Sequence, residues 1–191
     1  MHGQPSWVPV FLPAMLDPSQ IRAITLDLDD TLWPIWPAIH RAEEVLLLWL
    51  KEHAAKTAAL FPTTEALRSI RLQIERERPD LRHDLSALRR GSIAEAMRRA
   101  GDDERLAIPG FDIFFAQRQQ VQLFDDSLPA LEFLAQRWPI VAVTNGNADV
   151  QRIGIGQFFR DSFNVSRTGF AKPDIRIFHC AAQSLGVPSS G

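Results

Sequence analysis

The stretch Asp27-Leu28-Asp29-Asp30 constrains this chain more than any other. It stands directly after the apolar run Ile21-Arg22-Ala23-Ile24-Thr25-Leu26, which is short and β-branched at Ile21, Ile24 and Thr25 and reads as a buried strand. Packing does not account for three carboxylates at its end. Asp is a poor strand former, and like charges this close repel. One reading is a polar strand-to-loop transition capped by Asp. The other is a cation site, because hard divalent ions take carboxylate oxygens.

The chain after this stretch divides by pattern. Residues 1–20 are Pro-rich and read as an irregular N-terminal segment. Thr31 to Pro37 reads as a loop, because residues preceding Pro34 and Pro37 disfavour helix. Helical spacing then takes over. Ile39, Leu46, Trp49, Leu50 and His53 share one face, with Pro37 at an early position. Thr63 or Thr64 caps a second helix carrying Leu67, Ile70 and Ile74. Pro79-Asp80 marks a third start, with an interruption expected at Gly91 and a stop at Gly101. Pro109-Gly110 reads as a turn, followed by a fourth helix over Phe111, Phe114, Phe115, Arg118 and Val121. Residues 35–123 are therefore expected to form an inserted bundle of about four helices.

Alternation of helix and strand then returns. Asp126-Ser127-Leu128-Pro129 opens a helix with Leu128, Leu131 and Leu134 on one face. Ile140-Val141-Ala142-Val143-Thr144 is a wholly apolar strand of the parallel-sheet kind, stopped by Asn145-Gly146-Asn147. A short helix is expected near 148–152 and a third strand over Phe163-Asn164-Val165. A last helix follows Lys172-Pro173-Asp174, with Gly186 as its C′ residue. The fold class is thus α/β, a Rossmann-like parallel sheet built from 21–34 and 124–191, interrupted by the helical insertion.

Composition removes several classes of function. The formal net charge is −2, so a broad basic surface for nucleic acid is not expected. The longest wholly apolar run, Val45 to Leu50, is too short to span a bilayer, and the start lacks the basic region of a signal peptide. A cytoplasmic location without membrane contact is the expectation. Cys180 alone can build neither a disulfide framework nor a Cys-rich metal site. Oligomeric state is left open. Eighteen of the 21 Lys and Arg residues are Arg, and the C-terminal half holds a single lysine, Lys172.

In parallel sheets, ligands bind beyond the carboxyl ends of the strands. Asp27 and Asp29 follow the first strand, Thr144 ends the second, and Lys172 precedes the last helix. Two carboxylates, a hydroxyl and an ammonium at one end of one sheet suit phosphoryl transfer.

Three segments carry a resemblance. Asp27-Leu28-Asp29-Asp30-Thr31, Val141-Ala142-Val143-Thr144-Asn145-Gly146 and Lys172-Pro173 resemble motifs one, two and three of the haloacid dehalogenase-like (HAD) superfamily. The helical insertion resembles its C1 cap. An acid at the position of Asp29 resembles the phosphatases of the superfamily rather than its dehalogenases. Thr25 to Leu32, Ser92-Ile93-Ala94-Glu95-Ala96-Met97 and Trp138 to Ala148 also resemble bacterial flavin-pathway phosphatases, which are associated with FMN and 5-amino-6-(5-phosphoribitylamino)uracil phosphate.

The resemblance implies a Mg²⁺-dependent phosphatase acting on a small phosphorylated metabolite. Asp27 would be the nucleophile and Asp29 the acid/base. The Asp27 carboxylate and the Asp29 main-chain carbonyl would hold Mg²⁺. Thr144, the Asn145 N–H and Lys172 would hold the phosphoryl oxygens, with Lys172 also neutralising charge on Asp27. Asp30 and Asp174 are expected to be structural, and Trp33, Trp36, His40 and Arg89 could meet substrate or serve packing. The family's fourth motif, an acidic pair after a further strand, has no counterpart, since neither Asp nor Glu follows Asp174. A C-terminally truncated core is therefore expected, lacking a strand and a metal ligand and weakly active. The alternative is a non-catalytic fragment of this fold that binds a partner. A phosphoacceptor receiver domain shares the acid, Thr and Lys, but not the Asp-x-Asp spacing or the long helical insertion.

Overall fold

The computed structural model describes residues 17–188 except residue 82. The expectations for residues 1–16, including the Pro-rich segment from Trp7 to Pro13, lie outside the described residues. Residues Pro18–Gln20 form a 3-10 turn capped by Asp17, where an irregular segment was expected.

The sheet is parallel, with strand order β1-β2-β3: Ile24–Leu26, Ile140–Val143 and Asp161–Phe163. β2 is the central strand and is buried on both faces. Ile140 and Ala142 pack into one core with Leu28, Trp33 and Leu131, while Val141 and Val143 pack into another with Phe163, Ile177 and Ala181. This is the period-two alternation of a strand covered on both sides. β1 is only three residues long, because Ile21 to Ala23 lie outside the ladder. Among the described residues β1 pairs with β2 alone, so its outer edge is open. A groove of about 690 Å³ runs beside that edge, lined by Ile21, Thr25, Phe178, Ala182 and Leu185. β3 starts two residues earlier than expected because Asn164 instead caps a short helix, its side chain accepting from Arg167 N–H.

Between β1 and β2 the chain builds α1 (Ile35–His53), α2 (Ala55–Leu60), α3 (Thr64–Glu77), α4 (Leu85–Ala100) and α5 (Ala107–Arg118). Their shared core contains Leu46, Leu50, Leu67, Ile93, Met97 and Phe114. Three local expectations are corrected. α1 begins at Ile35 rather than at Pro37. Pro37 sits in the first turn, where no N–H partner is needed, and Asp30 accepts from Ile35 N–H at 2.9 Å. α4 runs unbroken through Gly91. Pro109-Gly110 lies inside α5 rather than in a turn. Pro109 again falls in the first turn, and Gly110 is needed for space: a Cβ there would stand 3.0 Å from the Trp49 ring.

After the cap come α6 (Ser127–Ala135), α7 (Val150–Ile153), α8 (Val165–Thr168) and α9 (Ile175–Ser184). In α6 Leu131 is buried, but Leu128 is exposed rather than on the buried face. Gly186, at φ +64°, follows the Leu185 C-cap of α9 as expected. Among the described residues no helix is long and apolar enough to cross a membrane.

Candidate active site

The loops leaving β1, β2 and α8 meet above the carboxyl end of the sheet. There a cavity of about 280 Å³ is lined by Asp27, Asp29, Thr144, Asn145 and Lys172, with Ile39 and Leu85 reaching in from the cap. The structure thus brings together all five residues that the sequence nominated, from positions up to 145 apart in the chain.

Asp27 sits one residue past β1 and is partly exposed. Its Oδ1 accepts from Lys172 Nζ at 2.8 Å and from Leu28 N–H at 2.8 Å. Lys172 is held in place through its own backbone. Asn145 Oδ1 accepts from Lys172 N–H at 2.7 Å, and Asn145 Nδ2 donates to Lys172 C=O at 3.0 Å. The Asn145 side chain is therefore a clamp that fixes the lysine loop, a task the sequence did not reveal. The Lys172–Pro173 bond is cis. Thr144 is buried, and its Oγ1 accepts from Gly146 N–H at 3.0 Å, which closes the turn after β2.

Asp29 is held from three directions. Trp33 Nε1 donates to Oδ1 at 2.9 Å. Arg118 Nη2 donates to Oδ1 at 2.7 Å and to Oδ2 at 2.6 Å. The arginine is 1% exposed and the carboxylate 13%, so this ion pair is shielded from solvent. Arg118 Nε donates to Asn147 Oδ1 at 2.9 Å, and its Nη1 is buried without a partner among the described residues. Asn147 continues outward, donating to Ser86 Oγ on α4 at 3.1 Å. Gly146 passes so close that a Cβ would fall 2.2 Å from Asp29 Oδ2.

Sequence reasoning missed Arg118 and Asn147. Arg118 was only one more residue on a helix face, among eighteen arginines. The one usable signal was its place in the last turn of the cap's final helix, from which the chain returns to the sheet. Other side chains divide as follows. Trp33 is fully buried, Trp36 is exposed and Arg89 is buried within the cap. Asp30 adopts φ +58°, and its carboxylate accepts from Ile35 N–H at the start of α1. Asp174 caps α9. The Arg176 side chain, and then its N–H, hold the Asp174 carboxyl down to about 2.

The donor set bears on a metal. Among the described residues no three His, Cys, Asp or Glu side chains converge as a metal cage. Lys172 occupies Asp27 Oδ1 and leaves Oδ2 unengaged among the described residues, while Arg118 and Trp33 occupy the Asp29 side chain. This fits an ion held by one carboxylate, the Asp29 main-chain carbonyl, water and a substrate phosphate, as Mg²⁺ is commonly bound. It does not fit a closed protein cage.

Comparison with known proteins gives the lineage. A model of the haloacid dehalogenase-like hydrolases matches residues 21–190. The 5-amino-6-(5-phospho-D-ribitylamino)uracil phosphatase YigB of Escherichia coli (strain K12) is 32% identical over 173 residues, which cover 88% of this chain and 72% of that protein. The crystal structure of a 2-haloacid dehalogenase from Pseudomonas syringae pv. Tomato DC3000 superposes with a TM-score of 0.80 at 39% identity, over 89% of this chain and 75% of that one. The HAD-hydrolase YfnB from Bacillus subtilis, bound to magnesium, shares the fold with a TM-score of 0.60 at 18% identity, over 89% and 75% of the two chains. With these matches and the parallel sheet, the chain belongs to the haloacid dehalogenase-like hydrolase family.

Proposed function

We propose that this hydrolase is a Mg²⁺-dependent phosphatase of small phosphate esters, FMN or another flavin-pathway phosphate among them. The observation that carries the reading is the second carboxylate, Asp29, in the same cavity as Asp27. A halide leaves carbon as a stable anion and needs no proton. An alkoxide leaving phosphorus does, and a carboxyl group beside the nucleophile supplies it. The likeness to YigB points the same way.

In the proposed reaction an Asp27 carboxylate oxygen attacks phosphorus. A bond from Asp27 to phosphorus forms as the phosphorus–alkoxide bond breaks, and protonated Asp29 gives its proton to the departing oxygen. Asp29, now a carboxylate, then takes a proton from water as that water attacks phosphorus. Inorganic phosphate leaves and Asp27 is restored. Lys172, 2.8 Å from Asp27, offsets the negative charge that accumulates when an anionic ester approaches a carboxylate. Thr144 and the Asn145 N–H hold the transferring group. Because Arg118 bridges both oxygens of Asp29, one contact must open for an oxygen to carry the proton towards the leaving group, and it re-forms once the proton has been given up. Mg²⁺, held by the Asp27 carboxylate and the Asp29 carbonyl, would add charge neutralisation for the phosphate.

The dehalogenase neighbour favours a second reading, displacement of halide from a 2-haloacid by Asp27. Acid quench during turnover of p-nitrophenyl phosphate, followed by mass spectrometry, separates the two. The phosphatase reading expects a phosphate adduct on the peptide containing Asp27, absent in Asp27→Asn. Finding neither adduct nor hydrolysis at saturating Mg²⁺ sinks it and leaves a non-catalytic, partner-binding chain or a dehalogenase.

A further inference from the structure

The two carboxylate oxygens of Asp29 are not equivalent. Oδ1 accepts from Trp33 Nε1 at 2.9 Å and from Arg118 Nη2 at 2.7 Å. Among the described residues Oδ2 accepts from Arg118 Nη2 alone, at 2.6 Å. One nitrogen thus serves both oxygens, and it can release Oδ2 while Oδ1 stays held from two sides. Oδ2 also stands towards the phosphoryl site. A Cβ on Gly146 would fall 2.2 Å from Oδ2 and 3.3 Å from Thr144 Oγ1, so a glycine is needed where these two groups approach.

The pair is not the arrangement that stability alone would select. A guanidinium matches a carboxylate best with two nitrogens side by side. Here only Nη2 faces Asp29, while Nε is turned to Asn147 Oδ1 at 2.9 Å. Nη1 is buried with no partner among the described residues, a state that buried donors rarely occupy without a functional reason. Asn147 sets the angle of the guanidinium and is itself held at both ends. Its Nδ2 donates to Ser86 Oγ on α4 at 3.1 Å, and its main-chain carbonyl accepts from the buried Gln119 Nε2 at 3.3 Å. Gln119 Oε1 in turn accepts from Asp149 N–H at 2.8 Å. Two parts of the cap and the turn after β2 therefore bear on one guanidinium.

We propose that Arg118, braced by Asn147, is a positioning residue for protonation of the leaving group. It anchors Asp29 through Oδ1 and makes Oδ2 the oxygen that carries the proton. The inference rests on the phosphatase reading above. As the bond from Asp27 to phosphorus forms and the phosphorus–alkoxide bond breaks, the proton passes from Oδ2 to the departing oxygen. Nη2 then closes again on both oxygens of the bare carboxylate. Arg118 and Asn147 exchange no proton themselves.

The test compares kcat/KM for two esters of nearly the same shape, p-nitrophenyl phosphate and p-nitrobenzyl phosphate, on the full chain with Mg²⁺. The nitrophenolate leaves without a proton, whereas the benzyl alkoxide needs one. The ratio of the two values does not depend on how much of a preparation is folded, so an unstable variant still reports. Misplacing a catalytic group by about 1 Å can cost on the order of a hundredfold. Asn147→Ala and Arg118→Met are each expected to lower the benzyl ester at least about tenfold more than the phenyl ester. Asn147→Asp keeps an acceptor for Arg118 Nε and should hold the ratio within about threefold of the native value. An equal fall for both esters in Asn147→Ala and Arg118→Met, or no rescue by Asn147→Asp, would overturn the proposal. Asp29→Asn separates the two layers. A large change of ratio in Asp29→Asn with none in Arg118→Met keeps the acid and defeats its positioning by Arg118. An unchanged ratio in Asp29→Asn, or cleavage of neither ester by the native chain, defeats the phosphatase reading and the proposal with it.

Discussion

Replacing Arg118 with methionine removes the cation that bridges both oxygens of Asp29 and leaves that carboxylate 13% exposed with one remaining donor, Trp33 Nε1. Breaking a buried pair from one side costs about 3–5 kcal/mol. Access of cavity water to Asp29 places this case at the low end. The orphaned Asn147 Oδ1 adds about 1 kcal/mol for its lost charged donor. The expected loss is therefore about 3–4 kcal/mol in urea unfolding, a large share of the ~5–15 kcal/mol that domains possess. Asp29→Asn leaves Arg118 as the uncompensated charge and should cost a comparable amount. The double variant removes both charges, so the losses should fall short of additivity by about 2 kcal/mol or more. A loss below about 1 kcal/mol for Arg118→Met, or additivity within about 0.5 kcal/mol, would refute the claim that this pair is shielded and coupled.

Other consequences are simpler to state. Gly146→Ala places a Cβ 2.2 Å from Asp29 Oδ2, and Asp29 is pinned by Arg118 and Trp33. Phosphatase activity should fall at least about tenfold, with a stability loss of about 1–3 kcal/mol by denaturant unfolding. Leu46→Ala, at a buried position in the cap core, should destabilise by about 2–5 kcal/mol on the same measurement. Glu95 accepts hydrogen bonds from Arg98 and Arg99, which hold its carboxyl down to about 2. A depressed carboxyl contributes its stability fully above the usual value of 4.5 and loses it as the pH falls towards 2. Solvent screening limits the effect to about 1 kcal/mol, and Glu95→Gln should flatten that part of the stability–pH curve.

What could be read from the sequence was what depends on near neighbours and on period. The wholly apolar run at 140–144 shows a strand buried on both faces, and Ile140–Val143 is that strand. Thr63 announced its helix because an N-cap acts over three residues, and its Oγ1 accepts from Ala66 N–H. Proline misled at Pro37 and Pro109, since both occupy first turns where the missing N–H costs nothing. The site was legible as a set of chemical types at strand ends, because the parallel topology itself gathers those ends. Its wiring was not. Arg118 reaches Asp29 across 89 residues, and Asn145 grips the backbone of Lys172 across 27. No local pattern encodes a contact that exists only once the cap has folded back onto the sheet.

The central claim is that Asp27 and Asp29 together hydrolyse phosphate esters, with Asp29 carrying the proton that distinguishes this from halide displacement. The most direct test follows phosphate release from FMN and chloride release from 2-chloropropionate side by side, with Mg²⁺, for the native chain and for Asp29→Asn. The account predicts phosphate release that falls at least about a hundredfold in Asp29→Asn, and no chloride release above background. Chloride release that survives Asp29→Asn, with no release of phosphate, would contradict it.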